Sequence, residues 1–361
     1  MKTIEVILAA NSYPVYLGTD LLAAGDLWQK HLGKGKTLIV SNDVVAPLYL
    51  EQVKTALAGR EFVTHIIPDG ERYKTAETWS GIIDKLIHMQ ARRDSNLVAL
   101  GGGVVGDITG FAAACYMRGI NFVQLPTTLL AQVDASVGGK TAINHEKGKN
   151  LIGAFHQPGA VVIDSATLDT LPQREFCAGL AEIVKYGAIS DVGLFEWMEL
   201  NAKDISQRQA AALDHLICES VKNKAAIVSQ DEKEAGLRAL LNFGHSFGHA
   251  LEAETAYSQF LHGEAVSIGM VTAARLSEIR GLCDTGTAQR LSALLSTLGL
   301  PVKQPKGIMI SGLTKALALD KKAVVSGLRL ILLKALGEAV IDDQSSPDEI
   351  INAIEQNVGS S

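Results

Sequence analysis

The chain has 361 residues, of which 47% are hydrophobic and 20% charged, with a formal net charge of −6. That length is more than one core usually fills and predicts two domains, and the composition is ordinary for a folded globular protein. The acidic balance argues against a nucleic-acid partner held by bulk charge, while leaving room for a local basic pocket. No apolar run reaches the roughly 18 residues that cross a bilayer, so no membrane partner is expected. Four cysteines, Cys115, Cys177, Cys218 and Cys283, lie far apart with no CxxC pair. They read as reduced thiols of a cytoplasmic protein.

In chain order, MKTIEVILAANSYPVYLG (1–18) looks at first like a signal peptide. Its apolar run is too short, and the valine and isoleucine pattern suits an edge strand. Short β-rich runs follow at KTLIVSN (36–42), EFVTHII (61–67), NLVALGGG (96–103) and NFVQLP (121–126), with amphipathic stretches such as 44–58 and 75–91 between them. Strands alternating with helices predict parallel pairing in a covered sheet. Past residue 170 helical patterns dominate, over 174–189, 207–229, 234–255, 263–280 and 286–298. No internal repeat is present. The expected fold is α/β: an N-terminal Rossmann-like parallel-sheet domain (1–170) followed by a mostly α-helical C-terminal domain (171–361).

Chemistry first surfaces in NLVALGGGVVGDITGF (96–111), where a strand runs into three glycines and then a helix. Glycine lets a ligand approach the backbone, and the free N–H groups of a helix start attract phosphate. The spacing of Gly101, Gly102, Gly103 and Gly106 is not GxGxxG, so a merely tight turn is the competing reading. PDGERYKT (68–75) and PTTLLAQVDASVGGKTAIN (126–144) add polar turns at two further strand ends, which places all three on one edge of a parallel sheet.

The second signal is acidic and histidine-rich. In LNFGHSFGHALEAE (241–254), His245 and His249 lie four apart, each directly after a glycine, so a helix would stack them on one face. Such a pair often binds metal, but no glutamate follows His245 as in HExxH. Glu182 and Lys185, one turn apart in AGLAEIVKYGAI (178–189), have the spacing of an ordinary surface pair, yet their neighbours are too apolar for a solvated face. His262 opens LHGEAVSIGM (261–270). Taken singly each histidine is more simply structural; together with a carboxylate from another helix they could form an open zinc site.

GGGVVGD, YMRG, LPTTLLAQVDASVGGKTAIN, KNLIGAFHQP, GLAEIVKYG, LNFGHSFGHALE and LHGEAVSIGM together resemble the 3-dehydroquinate synthases, within the sugar-phosphate cyclases, over nearly the whole chain. The sequence departs from that pattern at the far C-terminus and at His156, where an aromatic residue is expected. The resemblance implies a carbon–oxygen lyase of the shikimate pathway, which makes aromatic amino acids. Its reaction turns 3-deoxy-D-arabino-heptulosonate 7-phosphate into 3-dehydroquinate through NAD-assisted oxidation, phosphate elimination, reduction, ring opening and aldol closure. The implied cofactors are NAD and Zn2+ or Co2+, and the implied assembly is a homodimer.

By the same resemblance, Glu182, His245 and His262 match the metal ligands. Glu71, Lys74, Gly102, Gly103, Val104, Asp107, Thr127, Thr128, Leu130, Lys140, Lys149 and Thr170 match NAD-side positions. Asp134, Lys140, Lys149, Asn150, Lys224, Arg238, Asn242 and His249 match the pocket of the phosphorylated sugar acid. Arg118 matches a residue that reaches a neighbouring subunit's phosphate site, and Lys322 (or Lys321) should complete that site. Lys140, Lys185, Glu234, Asn242 and His249 are the expected catalytic residues. Two other enzyme readings stay open, a related sugar-phosphate cyclase and a metal-dependent alcohol dehydrogenase. The first would not need the carboxylate-binding pair Lys224 and Arg238, and the second would release reduced NAD. A zinc- or nucleotide-binding protein without catalysis would not need Lys185, Glu234 and His249.

Overall fold

The computed structural model describes residues 1–234, 236–322 and 328–359, the side chains of 318–322 excepted. Its contacts divide the chain into two compact units, Met1–Leu171 with Ser220–Lys233, and Pro172–Glu219 with Glu234–Ser361.

In the first unit β1 (Lys2–Val6) and β2 (Tyr13–Gly18) pair antiparallel, followed by the short α1 (Gly25–Trp28). Then β3 (Thr37–Asn42), α2 (Ala46–Ala56), β4 (Phe62–Ile67), α3 (Ala76–His88), β5 (Asn96–Gly101), α4 (Gly103–Cys115) and β6 (Asn121–Pro126) alternate. A separate antiparallel hairpin of β7 (Lys140–His145) and β8 (Gly148–Phe155) precedes β9 (Ala160–Asp164). The main sheet has the order β1-β2-β9-β6-β5-β3-β4, and every neighbouring pair beyond β1–β2 is parallel.

Strands β3 and β5 are buried at every position, as central parallel strands covered on both faces must be. Alternation sends their side chains to two cores. Leu97 and Ala99 join Ile82, Leu86, Ile108 and Ala112 under α3 and α4, while Val98 and Leu100 join Trp28, Leu50 and Val53 under α1 and α2. Each large apolar side chain so buried contributes about 1.5–3 kcal/mol. From β3 the chain winds outward to β4, and from β5 it winds the other way to β6, so the topology reverses between β3 and β5. In open parallel sheets, the crevice at such a reversal is where ligands bind.

The second unit contains α5 (Gln173–Ser190), α6 (Val192–Ser206) and the first half of α7 (Ala210–Gln230), then α8 (His245–Glu254), α9 (His262–Ile279), α10 (Thr287–Thr297) and α11 (Ile310–Lys322). A hairpin of β10 (Leu330–Ala335) and β11 (Glu338–Asp342) and a last helix, α12 (Pro347–Gln356), complete it. The α12 start carries a capping box, with Glu349 N donating to Ser346 Oγ and Ser346 N donating to Glu349 Oε2. Among the described residues no helix is long and apolar enough to cross a membrane.

The α/β sheet followed by a mostly helical unit is the expected fold, and some details differ. The single helix expected over 234–255 is broken: Leu237–Asn242 is a 3-10 turn, and α8 starts only at His245. The break sits at Gly244, whose φ of +79° no β-carbon-bearing residue adopts readily, and where a Cβ would stand 2.5 Å from Met270 Cγ. The N-terminal segment forms two strands, of which β1 alone is the sheet edge. His156, where an aromatic is expected, stacks on Phe122 at 5.4 Å and 15° and donates from Nε2 to the Ile120 carbonyl at 2.9 Å.

Candidate active site

Helix α5 is buried continuously from Phe176 to Ile189. Glu182 and Lys185 lie within that stretch at 1% and 2% exposure, and Lys185 Nζ donates to Glu182 Oε2. This is the buried alternative to the surface pair that the spacing ordinarily gives, and two charges removed from water at this depth need each other. The other carboxylate oxygen, Glu182 Oε1, is buried with no hydrogen-bond partner. It stands 3.7 Å from His245 Nε2 and 3.9 Å from His262 Nε2.

The two histidines are the first residues of α8 and α9. His245 Nδ1 is 3.2 Å from the Phe243 carbonyl, to which its Nδ1–H tautomer donates, leaving the Nε2 lone pair toward Glu182. Burial first, then the Lys185 cation and the neighbouring His262 and His249 rings, holds His245 well below the usual imidazole range. It is therefore neutral at pH 7, the form that ligates a metal. The first turn of α9 is pinned from α5: Arg174 donates to both oxygens of Glu264 at 2.7 Å, and Glu264 Oε2 accepts from Leu261 N at 2.8 Å. Ligand atoms about 2.0–2.1 Å from a tetrahedral metal lie roughly 3.4 Å apart. An orphaned carboxylate oxygen and two imidazole nitrogens only slightly wider than that fit a three-ligand metal site with an open position.

His249, one turn beyond His245, is exposed, and its ring meets His245 edge-on at 5.5 Å and stacks on His262 at 5.8 Å. A second trio, His249, Glu252 and His262, also brings its ligand atoms within 4.8 Å of one another. His262 is common to both.

In the sheet unit β5 runs into Gly102, which caps α4 without a side-chain hydrogen bond. The first-turn amides of α4 are left for an incoming acceptor. A Cβ on Gly102 would lie 3.0 Å from Thr128 Cγ2, so the loop is cradled closely there. Thr127 N donates to the Gly101 carbonyl at 3.0 Å and joins the ends of β5 and β6. Thr128 Oγ1 accepts from Ala131 N at 3.2 Å at the start of a π-helical turn, Ala131–Ala135, a form that recurs at functional sites. Lys74 Nζ donates to Asp107 on α4 and, at 2.6 Å, to Asn150 Oδ1. Burial pushes the Asp107 carboxyl up, with Lys74 pulling against it.

Sequence reasoning missed two residues of this edge. Asn144 donates from Nδ2 to Glu71 Oε1 at 2.8 Å and from N to the Lys74 carbonyl at 2.7 Å, and its Oδ1 accepts from Asn150 N at 2.9 Å. Gln132, fully buried, donates from Nε2 to the Pro126 and Asp164 carbonyls and to Thr167 Oγ1, tying the ends of β6 and β9. Both are lone amides in the mostly apolar motif 126–144, which was the available signal.

The remaining expected positions are scattered. Asp134 pairs with Lys224 at 2.8 Å, and Lys224 also donates to the Asp134 carbonyl at 2.7 Å. Asn242 Nδ2 donates to Glu234 Oε1 at 3.3 Å, and Arg238 is 1% exposed in the 3-10 turn between them. Thr170 Oγ1 is hydrogen-bonded to Tyr49 Oη. Lys140 opens β7, Lys149 lies on β8, and Val104 and Leu130 are half-buried near the two helix starts. Arg118, Asn150 and Glu234 have φ of +67°, +56° and +59°, a region side chains avoid unless the surroundings hold them there. The Lys322 side chain, like that of Lys321, lies outside the described residues.

A parallel sheet with an uncapped, glycine-lined helix start, and a helical unit carrying a Glu–His–His set, define the class of nucleotide- and metal-using α/β enzymes. Family models described as "3-dehydroquinate synthase N-terminal" and "3-dehydroquinate synthase C-terminal" match residues 64–178 and 179–323. A 3-dehydroquinate synthase of Teredinibacter turnerae is 50% identical over 342 residues, 94% of this chain and 95% of that protein. The chain belongs to the 3-dehydroquinate synthase family. Among solved structures, 2-epi-5-epi-valiolone synthase from Streptomyces hygroscopicus with NAD+ and Zn2+ bound is 33% identical with a TM-score of 0.89, covering 97% of this chain and 98% of its own. A 2-deoxy-scyllo-inosose synthase complexed with carbaglucose-6-phosphate, NAD+ and Co2+ is 25% identical, with a TM-score of 0.88 and coverage of 99% and 100%.

Proposed function

We propose that this enzyme converts 3-deoxy-D-arabino-heptulosonate 7-phosphate to 3-dehydroquinate and phosphate. The observation that carries this is the graded likeness: 50% identity to a 3-dehydroquinate synthase, against 33% and 25% to the valiolone and inosose cyclases. On this reading residues 1–170 form the NAD-binding domain and 171–361 the metal- and substrate-binding domain. NAD, when bound at the Gly102–Asp107 helix start, supplies a transient oxidation that acidifies the neighbouring C–H and is reversed later in the cycle. A metal ion held by Glu182, His245 and His262 supplies polarisation of the substrate hydroxyl being oxidised.

The protein's own groups do the rest. Lys185 orients Glu182 by donating to its Oε2. Lys224 and Arg238, both nearly fully buried cations, suit a substrate carboxylate, a group the valiolone and inosose cyclisations do not need. Lys140, Asn242 and His249 hold the phosphate and donate to it as it leaves, with Lys322 or Lys321 beside them, and Glu234 orients Asn242. Asp134, Lys149 and Asn150 complete the ring contacts. On the NAD side Glu71, Lys74, Gly103, Val104, Thr127, Thr128, Leu130, Lys140, Lys149 and Thr170 line the cofactor.

The enzyme works as a homodimer in which Arg118 enters the partner's phosphate pocket. Support comes from the strained Met117–Arg118 turn and from apolar side chains left exposed around it and on β8: Met117 at 44%, Leu151 at 63% and Phe155 at 46%.

Incubation with the heptulosonate phosphate and NAD, following released phosphate and dehydroquinate, tests the activity. Product without net NADH is expected; stoichiometric NADH would make it a dehydrogenase.

A further inference from the structure

Glu252 lies on α8, one turn beyond His249, at 2% exposure and directly after the buried Ala250 and Leu251. A carboxylate this deep in an apolar setting carries a desolvation cost that only a cation or a donor offsets. Its Oε1 stands 3.6 Å from His262 Nδ1, while the other nitrogen of that ring, Nε2, looks at Glu182 Oε1 from 3.9 Å. The His262 ring is thus spanned by two buried carboxylates, one at each nitrogen. His245 shows the same division with a different acceptor, its Nδ1 donating to the Phe243 carbonyl and its Nε2 facing Glu182. In each ring Nδ1 is turned to an oxygen of the protein, and both Nε2 atoms converge on the one Glu182 oxygen that lacks a hydrogen bond.

We propose that Glu252 is a positioning residue of the metal centre: its carboxylate holds the Nδ1–H tautomer of His262 and so presents Nε2 as a ligand. The inference rests on the metal reading of Glu182, His245 and His262. A carboxylate behind a ligating imidazole fixes the ring and raises its basicity, and its loss costs about 10- to 100-fold in metal affinity. The rival role for the same residue is direct ligation in the trio His249, Glu252 and His262, which would use His262 Nδ1 instead. The two roles are incompatible, because a nitrogen cannot both carry a proton for Glu252 and bind the metal.

The test is zinc affinity of the full-length metal-free protein by competition with a chromophoric chelator, beside visible spectra of the cobalt-loaded forms, for wild type, Glu252→Gln, Glu252→Leu and His262→Ala. Thermal melts of the metal-free forms check folding, and Glu252→Gln, which is isosteric, carries the test should Glu252→Leu not fold. Expected are zinc affinities about 10- to 100-fold weaker for Glu252→Leu, a smaller loss for Glu252→Gln, whose amide oxygen still accepts from Nδ1, and shifted cobalt bands of undiminished intensity. Affinities within twofold of wild type in both Glu252 variants overturn the inference alone. A loss in Glu252→Gln as large as in His262→Ala, with collapse of the cobalt bands, overturns it in favour of direct ligation. A wild-type protein that takes up neither zinc nor cobalt overturns the metal reading and this inference together.

Discussion

Gly263→Ala is the sharpest test of how the Glu–His–His set is held. Gly263 is the residue after His262, and a Cβ there would sit 1.9 Å from the Ala178 carbonyl oxygen and 2.6 Å from its carbon. Contacts of ordinary length begin near 3.4 Å, so α9 must draw back from α5 by roughly 1.5 Å. Ala178 is one helical turn before Glu182, so the displacement falls on the pair formed by Glu182 Oε1 and His262 Nε2, now 3.9 Å apart. Overpacking a well-filled contact costs about 1–3 kcal/mol. The metal-free variant should therefore melt several degrees lower, and its zinc affinity should fall by at least about tenfold, because ligands an ångström too far apart cannot close on one ion. Thermal unfolding with and without zinc, and chelator competition, measure both. Gly193→Ala, whose Cβ would meet only Asp191 Oδ1 at 3.4 Å, is the control and should change zinc affinity little. Wild-type melting and zinc affinity in Gly263→Ala would refute the idea that this helix contact sets the ligand spacing.

Chelation should abolish activity and zinc or cobalt restore it, while circular dichroism shows much of the fold intact; full activity in verified metal-free protein would discard Glu182, His245 and His262 as ligands. His245→Ala should lose bound zinc, whereas His249→Ala should keep near-normal zinc content and show a deficit in phosphate elimination of about 2–4 kcal/mol, the range for a positioned donor; equal zinc loss in both would make the pair a joint ligand. In the metal-free protein, the folded His245 ring resists a proton that the unfolded ring accepts near pH 6.5, so stability should drop as the pH falls below that value, and His245→Gln should flatten this part of the profile. An unchanged profile would refute the burial assigned to the ring. Arg118→Ala and Lys140→Ala homodimers should both be inactive, and mixing them should recover activity in those mixed dimers where one site carries neither lesion; confirmed subunit exchange with no recovery would return Arg118 to its own chain.

The sequence alone determined what is local or periodic. Uninterrupted apolar runs such as NLVALG specify strands covered on both faces, and their spacing by helical stretches dictates parallel pairing, so the α/β sheet and its shared edge of loops at 68–75, 101–107 and 126–128 were legible. The candidate ligands were legible too, since the residue types and the motifs around Glu182, His245 and His262 are local. The hairpin β7–β8 and the β10–β11 pair were not, because strands of five to eight residues without clean alternation carry little periodic signal, and what they form depends on context. The break at Gly244 escaped as well: Leu240, Phe243, Phe247 and Leu251 continue a helical spacing across it, and the crowding of Gly244 by Met270 and Val266 exists only in the fold. Tertiary structure alone decided which of several plausible polar residues meet. It buried the Glu182–Lys185 pair and turned both Nε2 atoms onto one unpartnered oxygen. It also set Glu252 behind His262 and made Asn144 the common partner of Glu71, Lys74 and Asn150. The meeting of Glu182 with His245 and His262, and of Asn144 with Glu71 and Lys74, joins residues tens of positions apart, and no spacing along the chain encodes it.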